Sequence, residues 1–243
     1  RRKTLLQFTK PRFHTAMFKE IVACGSPIFL NNISGRVTSI VMNISLMTLG
    51  AEVWGEGGGT TAVAIYAVLM YASDFCWPLL YGISDSLSPA IGFNWGAANY
   101  DRVKKIVRCG FIGTAVIGFV STSVLFFFPG TIASLFVDAE DIRLLEVSTH
   151  AIRLFCLAYI FRWVGVTTQG FLSAIEKPAL ATVMSVSIAL VFPVLMLGAL
   201  WNMGLDGIWL NFFGANALLA VLAVVMLTIV GKEIRKKQEK QKQ

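Results

Sequence analysis

The chain has 243 residues, 56% of them hydrophobic and 14% charged, with a mean hydropathy of +0.68, whereas soluble domains carry about 25% charged residues. A water-soluble core cannot absorb that much apolar sequence, which excludes an ordinary globular enzyme or soluble binding module. The formal net charge of +7 would suggest nucleic acid in a soluble protein, but here the basic residues flank apolar runs, so they read as topology signals and no nucleic-acid partner is expected.

A spanning helix needs about 20 mostly apolar residues to cross a hydrocarbon layer of roughly 30 Å. In chain order, the stretches that meet this are Ile21 to Leu49, Thr61 to Asn94, Ile106 to Phe128, Ser148 to Ser173, Ala179 to Leu200 and Gly207 to Val230. The expected fold is an all-α integral membrane protein, a six-helix transmembrane bundle over residues 21–230 in a lipid bilayer. A basic lead segment, 1–20, precedes it and a basic tail, 231–243, follows. Arg1-Arg2-Lys3 open a polar stretch rather than a short apolar core, so no signal peptide is expected.

Charge placement tests this topology, because it was not used to choose the spans. Arg1, Arg2, Lys3, Lys10, Arg12 and Lys19 precede the first span; Arg102, Lys104, Lys105 and Arg108 follow the second; Lys232, Arg235, Lys236, Lys237, Lys240 and Lys242 follow the last. The alternate loops hold Glu52, Glu56, Asp138, Glu140, Asp141, Glu146 and Asp206, with Arg143 as their basic exception. By the positive-inside rule the basic face, and with it both termini, is cytoplasmic.

Polar groups inside the spans locate the working face, since a charge at a helix centre costs about 2.5–3.5 kcal/mol even on lenient scales. On the first span Asn32, Arg36, Ser39 and Asn43 recur at spacings of four, three and four, which aligns them on one face; Asn31 adjoins them. On the second, Asp74 and Asp85 are separated by close to three helical turns, with Tyr81 and a kinking Pro78 between them. Arg162 lies at a depth similar to Asp85, so Asp85 is expected to pair with Arg162 or Arg36 or to titrate in a cavity. A purely structural ion pair is the competing expectation. Asp85, then Asp74, are the candidates for a coupling carboxylate; Asn31, Asn32, Arg36, Asn43, Tyr81 and Arg162 are candidates for a polar cavity lining.

Phe29, Met42, Met47, Tyr66, Tyr71, Tyr81 and Trp163 are available for flat lipophilic cations, although each taken singly reads first as packing. Cys24, Cys76, Cys109 and Cys156 are scattered without paired spacing, and neither His14 nor His150 has a ligand partner at helical spacing, so no metal site is expected. Motifs of membrane-embedded zinc or serine enzymes are absent from the sequence, and the reading is not an enzyme.

Three segments carry a resemblance. Ser88-Pro89-Ala90-Ile91-Gly92-Phe93-Asn94-Trp95-Gly96-Ala97-Ala98-Asn99-Tyr100-Asp101-Arg102 resembles the P-x-x-G-x-N-x-G-A-x-x-x-x-R stretch of the multidrug and toxic compound extrusion (MATE) transporters. Gln169 to Ala179 is similar to the turn before that family's penultimate helix, and Gly204-Leu205-Asp206-Gly207-Ile208-Trp209 to the start of its last helix. The order matches the second lobe of a twelve-helix, two-lobe carrier.

The resemblance implies a secondary active antiporter of the cell membrane, exporting organic cations or amphipathic drugs in exchange for protons or sodium. It implies no cofactor beyond that coupling ion, and a second, N-terminal six-helix lobe in the same or another chain. A departure is that several relatives carry a glutamate on the helix matching the first span, where this chain has Asn31-Asn32 and no acid between Glu20 and Glu52. A lipid-linked sugar flippase of the same superfamily and a non-transporting membrane subunit remain as alternatives.

Overall fold

The protein is described by a computed structural model covering residues 15–138 and 141–242. Arg1, Arg2, Lys3, Lys10, Arg12 and Glu140, used in the topology reading, and His14, weighed as a metal ligand, lie outside the described residues. The elements are α1 (Thr15–Trp54), α2 (Gly58–Gly96), α3 (Tyr100–Phe127), a short α4 (Pro129–Ala133), α5 (Ile142–Phe155), α6 (Tyr159–Ala174), α7 (Pro178–Val186), α8 (Phe192–Leu200) and α9 (Leu205–Lys242), and no strand occurs among the described residues. A 3-10 turn at Cys156–Ala158 joins α5 to α6, and a π-helical turn at Ser187–Val191 joins α7 to α8, so each pair is a single broken run.

Among the described residues six runs are long and apolar enough to cross a membrane, Gly25–Trp54, Gly58–Gly96, Tyr100–Phe127, Ile142–Ala174, Pro178–Met203 and Leu205–Glu239, and each expected span falls on one of them. The helices overrun the apolar limits at both ends. α1 begins inside the expected lead segment, and α9 continues through the basic run, where Lys, Arg, Glu and Gln are good helix formers. Outward-facing residues such as Ile28, Phe75 and Val221 are 65–70% exposed, a surface that suits lipid and not water.

Two turns at one end of the bundle close in the same way. After α2, Asn99 N–H bonds the Asn94 carbonyl and Ala98 N–H that of Trp95; after α6, Lys177 N–H bonds Leu172 and Glu176 N–H bonds Ser173. Both are Schellman closures, and both put a residue with a side chain, Ala98 (φ 57°) and Glu176 (φ 56°), where glycine is favoured. The far part of α9 ties these turns together. Lys177 bonds Glu233 at 2.7 Å, Lys237 bonds Glu233 at 3.1 Å and lies 4.7 Å from the Trp95 ring, and Gln238 donates to Asp101 at 3.0 Å.

The acidic loops meet at the opposite end. Arg143 lies 5.9 Å from the Trp54 ring, and His150 Nε2 is 3.0 Å from Asp206 Oδ1. Basic turns at one end and acidic loops at the other reproduce the charge alternation of the sequence.

The interior holds two apolar clusters. One gathers Ile65, Leu69, Phe155, Tyr159, Ile208 and Trp209; the other gathers Ile91, Leu172, Met184, Leu219 and Val230. Close approach of α6 and α9 depends on Gly165, where a Cβ would overlap the Leu219 side chain, the use small residues have at membrane helix contacts. Thr114 and Thr167 share a buried hydroxyl hydrogen bond of 2.6 Å between α3 and α6.

Candidate functional site

Along α9 the two clusters are separated by Phe212 and Asn216, and at that level a cavity of about 180 Å³ opens between α1, α2, α6, the broken α7–α8 run and α9. Proline explains the break. Pro193 has no N–H to offer the carbonyl of Ala189 four residues earlier, the chain adopts a π turn there, and the Thr38 hydroxyl from α1 donates to the Ala189 carbonyl instead. Asn211, fully buried on α9, donates to the Pro193 carbonyl at 2.7 Å. Irregular backbone at membrane depth is tolerated where it borders a cavity and other helices satisfy it.

The same arithmetic applies in α1, where Pro27 leaves the Ala23 carbonyl without its helical donor and the Ser26 hydroxyl takes it at 2.8 Å. Pro78 likewise interrupts α2. One turn earlier on that helix the Ser73 hydroxyl is 2.9 Å from the Tyr159 hydroxyl of α6.

Of the residues singled out from the sequence, Asn31, Tyr81 and Arg162 line the cavity together. The α1 residues that reach it are Asn31, Gly35, Thr38, Ser39 and Met42, so the cavity side is turned by about one residue from the expected stripe. Asn32 and Arg36 are exposed, and Asn43 is half-buried with its Nδ2 donating to the Ser39 carbonyl at 2.8 Å. Asp74 and Asp85 are exposed on α2 and make no hydrogen bond or ion pair among the described residues; neither meets Arg162 or Arg36 in an ion pair. Of the aromatic and methionine candidates, Met42 and Tyr66 line the cavity, Trp163 packs against Phe111 and Phe119 of α3, and Phe29, Met47 and Tyr71 face outward.

Arg162 is held against the Trp77 ring, 4.4 Å from guanidinium carbon to ring centroid, a favourable geometry for a desolvated cation. Its Nε is buried and has no partner, as is Oδ1 of Asn216, whose amide donates to the Phe212 carbonyl at 2.7 Å. Tyr66 stacks on Phe212 with centroids 6.1 Å apart and forms an aromatic wall. Among the described residues the cavity therefore offers one cation, amide and hydroxyl groups and flat rings, and no carboxylate lines it. No group of three or more His, Cys, Asp or Glu suited to a metal occurs among the described residues.

Sequence reasoning passed over Thr38, Trp77, Asn211 and Asn216. The signal for the asparagines was present, since Asn211 and Asn216 are amides in an otherwise apolar span. Trp77 carried none, because its role follows from the residue it lies against.

Comparison with known proteins agrees with this architecture. The chain is 25% identical over 227 residues to the multidrug export protein MepA of Staphylococcus aureus (strain MSSA476), a match covering 93% of this chain and 47% of that protein. Against the MepA of Staphylococcus haemolyticus (strain JCSC1435) it is 26% identical over 214 residues, covering 87% and 44%. A solved structure described as the outward-facing conformation of a multidrug resistance MATE family transporter of the MOP superfamily superposes with a TM-score of 0.81 at 18% identity, over 98% of this chain and 51% of that one. The chain thus spans about half the length of the curated relatives it matches. The family model described as MatE matches residues 27–197, and with six membrane-spanning helices arranged as in one half of those transporters, the chain belongs to the MatE family.

Proposed function

We propose that this chain forms one lobe of a secondary active antiporter that exports organic cations or other amphipathic drugs across the cell membrane in exchange for protons or sodium ions. The observation that carries the reading is a cavity of about 180 Å³ at mid-bundle, bounded by a proline-broken helix, in a chain of the MatE family whose relatives are multidrug export proteins. Carriers bind substrate near the bilayer midplane beside discontinuous helices. The basic turns between α2 and α3 and between α6 and α7, with the end of α9, face the cytoplasm, and the acidic loops face outward.

Asp85 and Asp74 supply the coupling carboxylates. Both are exposed on this lobe, and a carboxylate facing hydrocarbon is strongly disfavoured, so the surface of α2 that bears them faces a second six-helix lobe, from this or another chain, across a hydrated cleft. Coupling then requires that protonation or sodium occupancy differ in affinity between the two access states.

The test is ethidium accumulation in energised cells expressing the complete reading frame that encodes this chain, against empty cells and with the ion gradients collapsed. Lower accumulation that disappears with the gradient is the expected result. Unchanged accumulation with well-expressed protein at the membrane would remove the drug-export reading.

A further inference from the structure

Arg162 differs from the other unpaired charges among the described residues in having a buried guanidinium nitrogen with no partner. A structural arginine in a membrane bundle is paired with a carboxylate or satisfied by backbone carbonyls. Arg162 has neither: it makes no hydrogen bond or ion pair with a described residue, its Nε is closed off and unpartnered, and Trp77 supports its flat face at 4.4 Å. The chain's free carboxylates on α2 are turned outward. Arg162 lines the cavity, whose lining also includes Tyr81, the Asn216 amide and the stacked Tyr66–Phe212 wall.

We propose that the Arg162 cavity binds the carboxylate of an aromatic, amphipathic acid or zwitterion, so that this lobe recognises the anionic end of its substrate. The proposal deepens the export reading and rests on this cavity being the substrate cavity: Arg162 takes the anionic end of an amphipathic drug, while a cationic drug or the cationic end of a zwitterion lies toward the outward carboxylates Asp74 and Asp85. Charge and size set the class. A single charged residue lines the cavity among the described residues, and it is a cation; that neutralises one negative charge, whereas a phosphate dianion would keep a further charge uncompensated away from water. A cavity of about 150 Å³ can hold benzene, so about 180 Å³ accommodates a ring bearing a carboxylate. The stacked aromatic wall favours the flat ring over an aliphatic chain.

The experiment measures binding of benzoate, benzamide, benzylammonium and phenyl phosphate to the complete protein in nanodiscs by titration calorimetry. Benzoate is expected to bind about ten- to a hundredfold more tightly than benzamide, the range for a charge-assisted hydrogen bond in a closed site, with benzylammonium weakest and phenyl phosphate below benzoate. Arg162→Gln should bring benzoate to the level of benzamide. Equal binding of benzoate and benzamide, or a preference for benzylammonium or phenyl phosphate, overturns the proposal on wild-type protein alone, even where the variant does not fold. Binding and export fail separately: benzoate selectivity without ethidium export leaves the site and removes the export reading, and ethidium export without benzoate selectivity does the reverse.

Discussion

The hydrogen bond from Thr38 to the Ala189 carbonyl ties α1 to a helix that proline has broken, and its strength can be read by a mutant cycle. Thr38→Val keeps shape and removes the donor. Interhelical hydrogen bonds in membranes average about 0.6 kcal/mol and reach about 1.7. The Ala189 carbonyl belongs in the upper half of that range, because Pro193 denies it the ordinary helical donor and an unmet buried acceptor costs about 1–3 kcal/mol. The expected destabilisation is about 1–1.5 kcal/mol in wild type. In a Pro193→Ala background residue 193 regains an N–H, Ala189 regains a partner, and the same Thr38→Val substitution should cost less than about half as much. Equilibrium unfolding of the complete protein by SDS in mixed micelles, followed by far-UV dichroism, measures all four corners of the cycle. An equal cost of Thr38→Val in both backgrounds would show that proline does not set the strength of this bond.

Three further outcomes are expected. Gly165→Ala places a methyl group into the Leu219 side chain and should destabilise by about 1–3 kcal/mol as overpacking, a loss partly recovered by Leu219→Ala; the same unfolding assay would show no recovery if α6 and α9 were not in contact there. Ala98→Gly removes the Cβ penalty of a left-handed Schellman position, roughly 1–2 kcal/mol, against a larger backbone entropy loss of about 0.5–1, so a net gain of up to about 1.5 kcal/mol is expected, and a lower unfolding midpoint would contradict the assigned conformation. Asp85→Asn, motivated by an intramembrane carboxylate with no ion-pair partner among the described residues, should abolish coupled exchange in proteoliposomes while leaving folding and insertion intact; normal exchange would take Asp85 out of the coupling step.

The site was only partly visible in advance. Asn31, Tyr81 and Arg162 stand out in a linear reading because polar groups in apolar spans are costly, and these three line one cavity. Asn32, Arg36 and Asn43 stand out for the same reason, yet the lining side of α1 runs through Gly35, Thr38 and Met42. On a helix that is apolar nearly all round, the pattern does not define a face, and a shift of one residue turns the side chain by about 100°. The depth estimate that set Asp85 level with Arg162 held no information about azimuth, and the two form no ion pair.

The number of spans, their order and the charge difference between the two ends were determined by sequence alone, because the thickness of the hydrocarbon layer and the distribution of Lys and Arg act along one dimension. The membership of the cavity, the replacement of a helical donor by Thr38 at the Pro193 break, the seat of Arg162 on Trp77 and the outward position of Asp74 and Asp85 were decided only by tertiary structure. Each depends on how helices rotate and close against one another, and that rotation is fixed by contacts between residues far apart in the chain, such as Gly165 with Leu219.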